Sequence, residues 1–209
     1  MALDLEEQEQ LDEFKEWWKK NGKWVIVVAL AFVLGAGGWR GWQIWSTKQS
    51  AAAAELYFSA TKAVQMGDAK TAKELAGKIM EDYSRSGYAV PASWLAARIS
   101  FESGDLKSAQ AQYQYALDHA RDDGLKDLAR LRLASVMLDQ KDYAGAMKLL
   151  DGKHEAAFAA LFANLKGDVL AAQGKGAEAR AAYQQAIDVL DAKDPLKSVV
   201  EIKLAGLGG

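Results

Sequence analysis

Gly104-Asp105-Leu-Lys-Ser-Ala109-Gln-Ala-Gln-Tyr113-Gln-Tyr-Ala116-Leu117 reads as a turn signal followed by one face of an amphipathic helix. Its marks recur. Gly67-Asp68, Lys141-Asp142 and Gly174-Lys175 fall into the same register, at spacings of 37, 37 and 33 residues, which is a structural repeat period. Four residues after the second turn residue stands an alanine in every unit: Ala72, Ala109, Ala146 and Ala179. Eight residues before it stands another small residue: Ala60, Ala97, Ala134 and Gly167. In a helical hairpin such positions lie where the two backbones come closest, and a larger side chain would push the pair apart. Tyr113 and Tyr183 share one further position, filled by Ala76 and Leu150 in the other units, and Ala116-Leu117 is matched by Ala186-Ile187.

Composition agrees with helical hairpins. The chain has 209 residues, abundant alanine, two prolines (Pro91 and Pro195) and no cysteine. Few prolines and no alternating β-branched runs predict an all-α protein. The lack of cysteine excludes disulfides, thiol catalysis and thiolate metal sites. A net charge of −2 gives no basic footprint for nucleic acid. After the last repeat, Asp194-Pro195 predicts an N-cap with proline at the first helical position, opening a helix with Leu196, Val199, Val200 and Leu204 on one side. Such a helix would lid the open face of the terminal repeat.

Upstream of the repeats, Trp24 to Trp39 is a run of 16 residues without a formal charge. Continued to Trp45 it reaches 22 residues, about 33 Å as a helix and enough for a bilayer core of roughly 30 Å. Arg40 is its single charge and lies near one end, where it can snorkel. Trp17, Trp18 and Trp24 flank one end and Trp39, Trp42 and Trp45 the other, as an aromatic belt requires. An acidic segment of 23 residues before the run is unlike a cleavable signal peptide, so an uncleaved anchor is expected. Lys15, Lys19, Lys20 and Lys23 precede the span, and only Arg40 and Lys48 follow it closely. This asymmetry predicts a cytoplasmic N-terminus. The expected organisation is a tail over 1–23 with acidic and amphipathic character, a transmembrane helix over 24–45, a repeat domain over 46–205 and a flexible tail over 206–209.

No catalytic constellation accompanies these elements. There is no glycine-rich phosphate loop or nucleophile elbow, and His119 and His154 stand without partners at ligand spacing. Asp122-Asp123-Gly124 lacks the remaining ligands of a calcium loop and reads as a plain loop. Tyr57, Phe58, Trp94, Phe101, Tyr113, Tyr115, Phe158 and Phe162 are expected mainly in the core, with some along a groove. No enzyme activity, cofactor or metal is expected. Gly37 and Gly41 are spaced like a helix-pairing motif, but at the interface end of the span.

The repeat register, with its small residues, turn, aromatic and Ala-Leu pair, resembles the tetratricopeptide (TPR) pattern over roughly residues 51–190. The tryptophan of that pattern's first helix is absent, as is its closing proline. The acidic tail, the words Lys19-Lys20-Asn21-Gly22-Lys23 before the span and Gly38-Trp39-Arg40-x-Trp42 after it, and the repeats together resemble the YfgM family of ancillary SecYEG translocon subunits. The resemblance implies a bacterial inner-membrane protein with a periplasmic TPR-like domain of about four repeats and a capping helix. It implies association with SecYEG and the membrane-anchored chaperone PpiD, and contact with unfolded or secreted polypeptides and the lipid bilayer. A different single-span TPR scaffold, serving envelope or cytochrome biogenesis, would share the anchor and the repeats.

Overall fold

The computed structural model describes residues 5–208; Asp4 of the acidic tail and Gly209 lie outside the described residues. These residues form nine α-helices, one short 3-10 turn and no strand. Contacts divide the chain into two units, residues 1–49 and 50–209. Helix α1 (Leu5–Gln65) supplies the described part of the first unit and the first helix of the second.

In the first unit α1 is long and apolar enough to cross a membrane. Among the described residues its apolar side chains are largely uncovered: Trp24 is 71% exposed, Phe32 76% and Leu34 74%. A water-soluble helix would not leave such a stretch uncovered. Phe14 stacks on Trp17 and Trp18 at 6.2 and 6.1 Å, and Trp39 packs on Trp42 at 5.6 Å. Gly22 lies under the Trp18 indole, which comes within 3.1 Å of where a Cβ would stand. The edges expected at residues 23 and 45 fall within one continuous helix, so no backbone break marks them.

The second unit is a stack of hairpins. The end of α1 pairs with α2 (Ala69–Asp82), α3 (Ala89–Glu102) with α4 (Leu106–His119), α5 (Asp123–Asp139) with α6 (Tyr143–Leu150), and α7 (Ala159–Ala172) with α8 (Gly176–Val189). Helix α9 (Pro195–Gly206) packs on α8.

One turn, used four times, makes these hairpins. At its first position the backbone is left-handed: Gly67 has φ 76°, Gly104 78°, Lys141 63° and Gly174 75°. At Gly104 the N–H donates to the Phe101 carbonyl at 2.9 Å, and the next N–H, that of Asp105, reaches back to Ser100 at 2.9 Å. This is the Schellman arrangement that ends a helix. The Asp105 carboxylate then accepts from Ser108 N at 3.1 Å, capping α4. Asp68 caps α2 through Thr71 N in the same way, and Asp142 caps α6 through Gly145 N. One residue pair thus stops one helix and starts the next, which fixes the hairpin locally. In the fourth turn Lys175 holds the cap position and makes no side-chain cap.

The closely packed interior follows from side-chain size. Ala60, Ala97, Ala134, Ala72, Ala109, Ala146 and Ala179 are fully buried, and Gly167 is buried. At Gly167 a Cβ would lie 2.4 Å from the Tyr183 ring, so glycine is what allows α7 and α8 their approach. Asp194 caps α9 through Leu196 N at 2.8 Å, with Pro195 in the first turn and Val200 buried against α8.

Candidate functional site

The α3 and α5 helices and the loops beside them enclose an open groove of about 1020 Å³ within the second unit. From α3 come Val90, Pro91, Trp94, Leu95, Arg98 and Phe101; from α5 come Leu125, Leu128 and Arg132. Spacing explains both stripes. Trp94, Arg98 and Phe101 are four and three residues apart, Leu125, Leu128 and Arg132 three and four, so each set shares one helix face. Tyr57 of α1 closes one side and packs on Tyr88 at 5.6 Å.

Charge in the groove is lopsided. Its lining carries Arg85, Arg98, Arg121 and Arg132 against the carboxylates of Glu102 and Asp122, in a chain whose net charge is −2. Arg98 pairs with Glu102 at 3.2 Å. Among the described residues Arg85, Arg121 and Arg132 have no carboxylate within ion-pair distance. Arg121 Nη2 donates to the Arg85 carbonyl at 3.2 Å and ties the α4–α5 loop to the α2–α3 loop. A second tie between successive units is Tyr115, whose hydroxyl donates to the Met80 carbonyl at 3.1 Å. The indole Nε1 of Trp94 is buried and has no acceptor. Burial pushes the Tyr113 hydroxyl, also on the lining, above its usual pKa.

Two polar clusters hold the rest of the frame. Asp127 is fully buried on α5 and accepts from Arg130 Nη2 and, at 2.8 Å, from Glu155 N. Arg130 Nη1 also donates to the Lys153 carbonyl at 2.7 Å. Together they fix the connection after the short α6. On α7, Asp168 accepts from Lys203 Nζ at 2.8 Å and from the Tyr183 hydroxyl at 2.7 Å, locking α9 to the α7–α8 hairpin. Burial and the adjacent carboxylate raise the Tyr183 pKa, so this hydroxyl stays a donor. Hydrogen bonds from the first turns of α2 and α4, those of Thr71 and Ser108, hold Asp68 and Asp105 below the ordinary carboxylate range.

The residues expected at the membrane interface, Trp17, Trp18, Lys19, Lys20, Lys23, Trp24, Trp39, Arg40, Trp42 and Trp45, are all exposed along α1. His119 lies in the last turn of α4 with Nδ1 at 2.9 Å from the Tyr115 carbonyl, and His154 stacks on Phe162 at 4.2 Å. Asp122, read as a loop residue, caps α5 through Leu125 N at 2.8 Å. Phe162 is core, but Phe58 is 71% exposed, against its expected burial, because α1 turns it away from α2 and α3. Trp94, Phe101, Tyr57 and Tyr113 line the groove. The arginines of the groove were not singled out by sequence; the spacing of Trp94, Arg98 and Phe101 along α3 is a signal for Arg98 alone, and Arg85, Arg121 and Arg132 join it only in the fold.

The tetratricopeptide repeat-like domain family matches residues 15–209. Relatives named ancillary SecYEG translocon subunit include that of Neisseria gonorrhoeae, 34% identical over 99% of this chain and 100% of the relative. Those of Haemophilus influenzae, at 33% over 89% and 91%, and Escherichia coli, at 30% over 99% of both, are similar along nearly their whole length. The solved structure of the MamA RS-1 ArsTM double mutant superposes with a TM-score of 0.59 at 18% identity, covering 74% of this chain and 82% of that one, a likeness of fold. With non-catalytic helical repeats behind an apolar N-terminal helix, and this similarity from end to end, the chain belongs to the YfgM family of ancillary SecYEG translocon subunits.

Proposed function

We propose that the chain is a single-span inner-membrane subunit that attaches to SecYEG and holds its repeat domain, residues 46–205, on the periplasmic side. There it works with the membrane-anchored chaperone PpiD on polypeptides leaving the channel. The observation that carries this reading is the end-to-end similarity to subunits of that name, which extends through the anchor and the repeats alike. Supporting it are the lysines at the N-terminal end of the apolar run, the tryptophans at both ends and the groove between α3 and α5. Anchoring confines the groove near the bilayer and raises its effective concentration toward other membrane complexes. No step requires catalysis by this chain.

Photocrosslinking tests the assignment. A photoreactive amino acid at Leu30 or Val33 in the apolar run should give adducts with SecYEG subunits, and one at Leu95 or Leu128 in the groove should give adducts with PpiD or a secreted chain. Adducts confined to complexes of envelope or cytochrome assembly would replace this reading with that of a different scaffold.

A further inference from the structure

We propose that the groove between α3 and α5 selects acidic polypeptide: an extended segment in which apolar side chains alternate with aspartate or glutamate. The inference rests on the reading of the repeat domain as a polypeptide-binding module and names the chemistry of what it binds.

Charge complementarity is the first ground. Four guanidiniums line the groove, three of them without a carboxylate among the described residues, whereas the chain as a whole is acidic. Arginine presents a planar fork of donors that matches a carboxylate in two parallel hydrogen bonds, and it keeps its charge at any physiological pH. The same lining includes an apolar set, Val90, Pro91, Trp94, Leu95, Leu125 and Leu128. A bare anion would leave those apolar side chains wet and a purely apolar segment would leave the arginines unpaired, so the complementary occupant carries both kinds of side chain.

Backbone chemistry is the second ground. Each of the four groove arginines carries five N–H donors, and three of the four have no carboxylate partner among the described residues. A helical ligand satisfies its own carbonyls internally, but an extended one brings free carbonyls every residue. The extended form therefore suits the donor-rich lining better.

The test uses the full chain in nanodiscs of zwitterionic lipid and three fluorescent twelve-residue peptides. All alternate leucine or phenylalanine with a second residue, which is glutamate, glutamine or lysine. Fluorescence anisotropy should rank them glutamate, then glutamine, then lysine, with at least roughly tenfold between the first and last. Added salt should narrow that gap. An Arg98→Gln, Arg132→Gln variant should lose most of the preference for glutamate yet keep the binding of the glutamine peptide. It should fold normally, because Arg98 loses only an exposed i,i+4 pair and Arg132 has no ion pair to lose. Equal affinity for the glutamate and lysine peptides would overturn the inference and leave the polypeptide-binding reading standing. Failure of all three peptides to bind would overturn both. Loss of phosphatidylglycerol vesicle binding in the same variant, with no preference among peptides, would overturn it in favour of a lipid headgroup.

Discussion

Lys175 and Gly167 each depart from the pattern of the other repeats, and the two departures act in opposite directions. Lys175 stands where Asp68, Asp105 and Asp142 cap their helices, and it places a positive charge at the positive end of α8. Lys175→Asp should therefore stabilise the repeat domain by about 1 kcal/mol, raising its melting temperature by roughly 2–4 °C in calorimetry of the full chain. An unchanged midpoint would mean that the fourth turn does not govern the stability of its hairpin. At Gly167 the opposite holds: Gly167→Ala drives a Cβ into the Tyr183 ring, which cannot swing away while its hydroxyl is held by Asp168. The expected loss is about 1–3 kcal/mol in urea unfolding, and Gly167→Ala, Tyr183→Leu should recover part of it. The caps also set the acid response. Asp68 and Asp105 have folded pKa values below their unfolded ones, so their contribution is complete above the ordinary carboxylate range and fades as pH falls through the lowered values. In an acid titration followed by circular dichroism, Asp68→Asn, Asp105→Asn should flatten the loss of stability below about pH 4. The turns themselves were legible from the sequence, because glycine and aspartate act through their own backbone. Lys141 was legible only by register, since nothing about an isolated lysine announces a φ of 63°.

Among the elements, α6 is the outlier. It has eight residues where α2, α4 and α8 have 14, which shortens the repeat from 37 residues to 33 and leaves a longer connection to α7. Two turns of helix cover little of α7, and the missing surface is supplied by the segment 151–158, with Phe158 packed into the α5–α6–α7 core. That segment is held by Asp127 through Glu155 N and by Arg130 through the Lys153 carbonyl. Asp127→Ala would leave a guanidinium partly buried and a backbone donor unpaired, so it should cost about 3 kcal/mol and raise hydrogen exchange first at residues 152–158. Exchange rising uniformly across all repeats would show that the pin is not local. Sequence periodicity found the shortened spacing but not its remedy. An aspartate inside an apolar helix pattern looks like a solvent-facing residue until the partner, 28 positions away, is known. The groove was half legible for a related reason: Trp94 and Phe101 announce an apolar surface, but only the packing of α3 and α5 on α4 brings them to one open groove and gathers arginines from four places in the chain.

For the whole molecule, sidedness is the property on which the proposed function depends, and the proposal draws it from charges at the ends of one helix. Four lysines, Lys15, Lys19, Lys20 and Lys23, precede the apolar run, and Arg40 and Lys48 follow it. Moving lysines across the bilayer is opposed at insertion, so the proposed orientation keeps the end with more of them in the cytoplasm. The aromatic residues do not decide the question, because they are distributed to both ends. The tryptophans mark the expected membrane edges at both ends, and the lysines carry the proposed direction. Protease added to intact spheroplasts should consequently degrade residues 50–209 and spare an epitope placed at the N-terminus. Replacing the four lysines by glutamine, and Ser46 and Gln49 by lysine, reverses the charge difference without altering the run from Trp24 to Trp45. In that variant a substantial fraction of the chains should show the opposite protection pattern. If the wild-type repeat domain were protected and the epitope lost, the groove would face the cytoplasm, and no role with polypeptides emerging on the periplasmic side could stand.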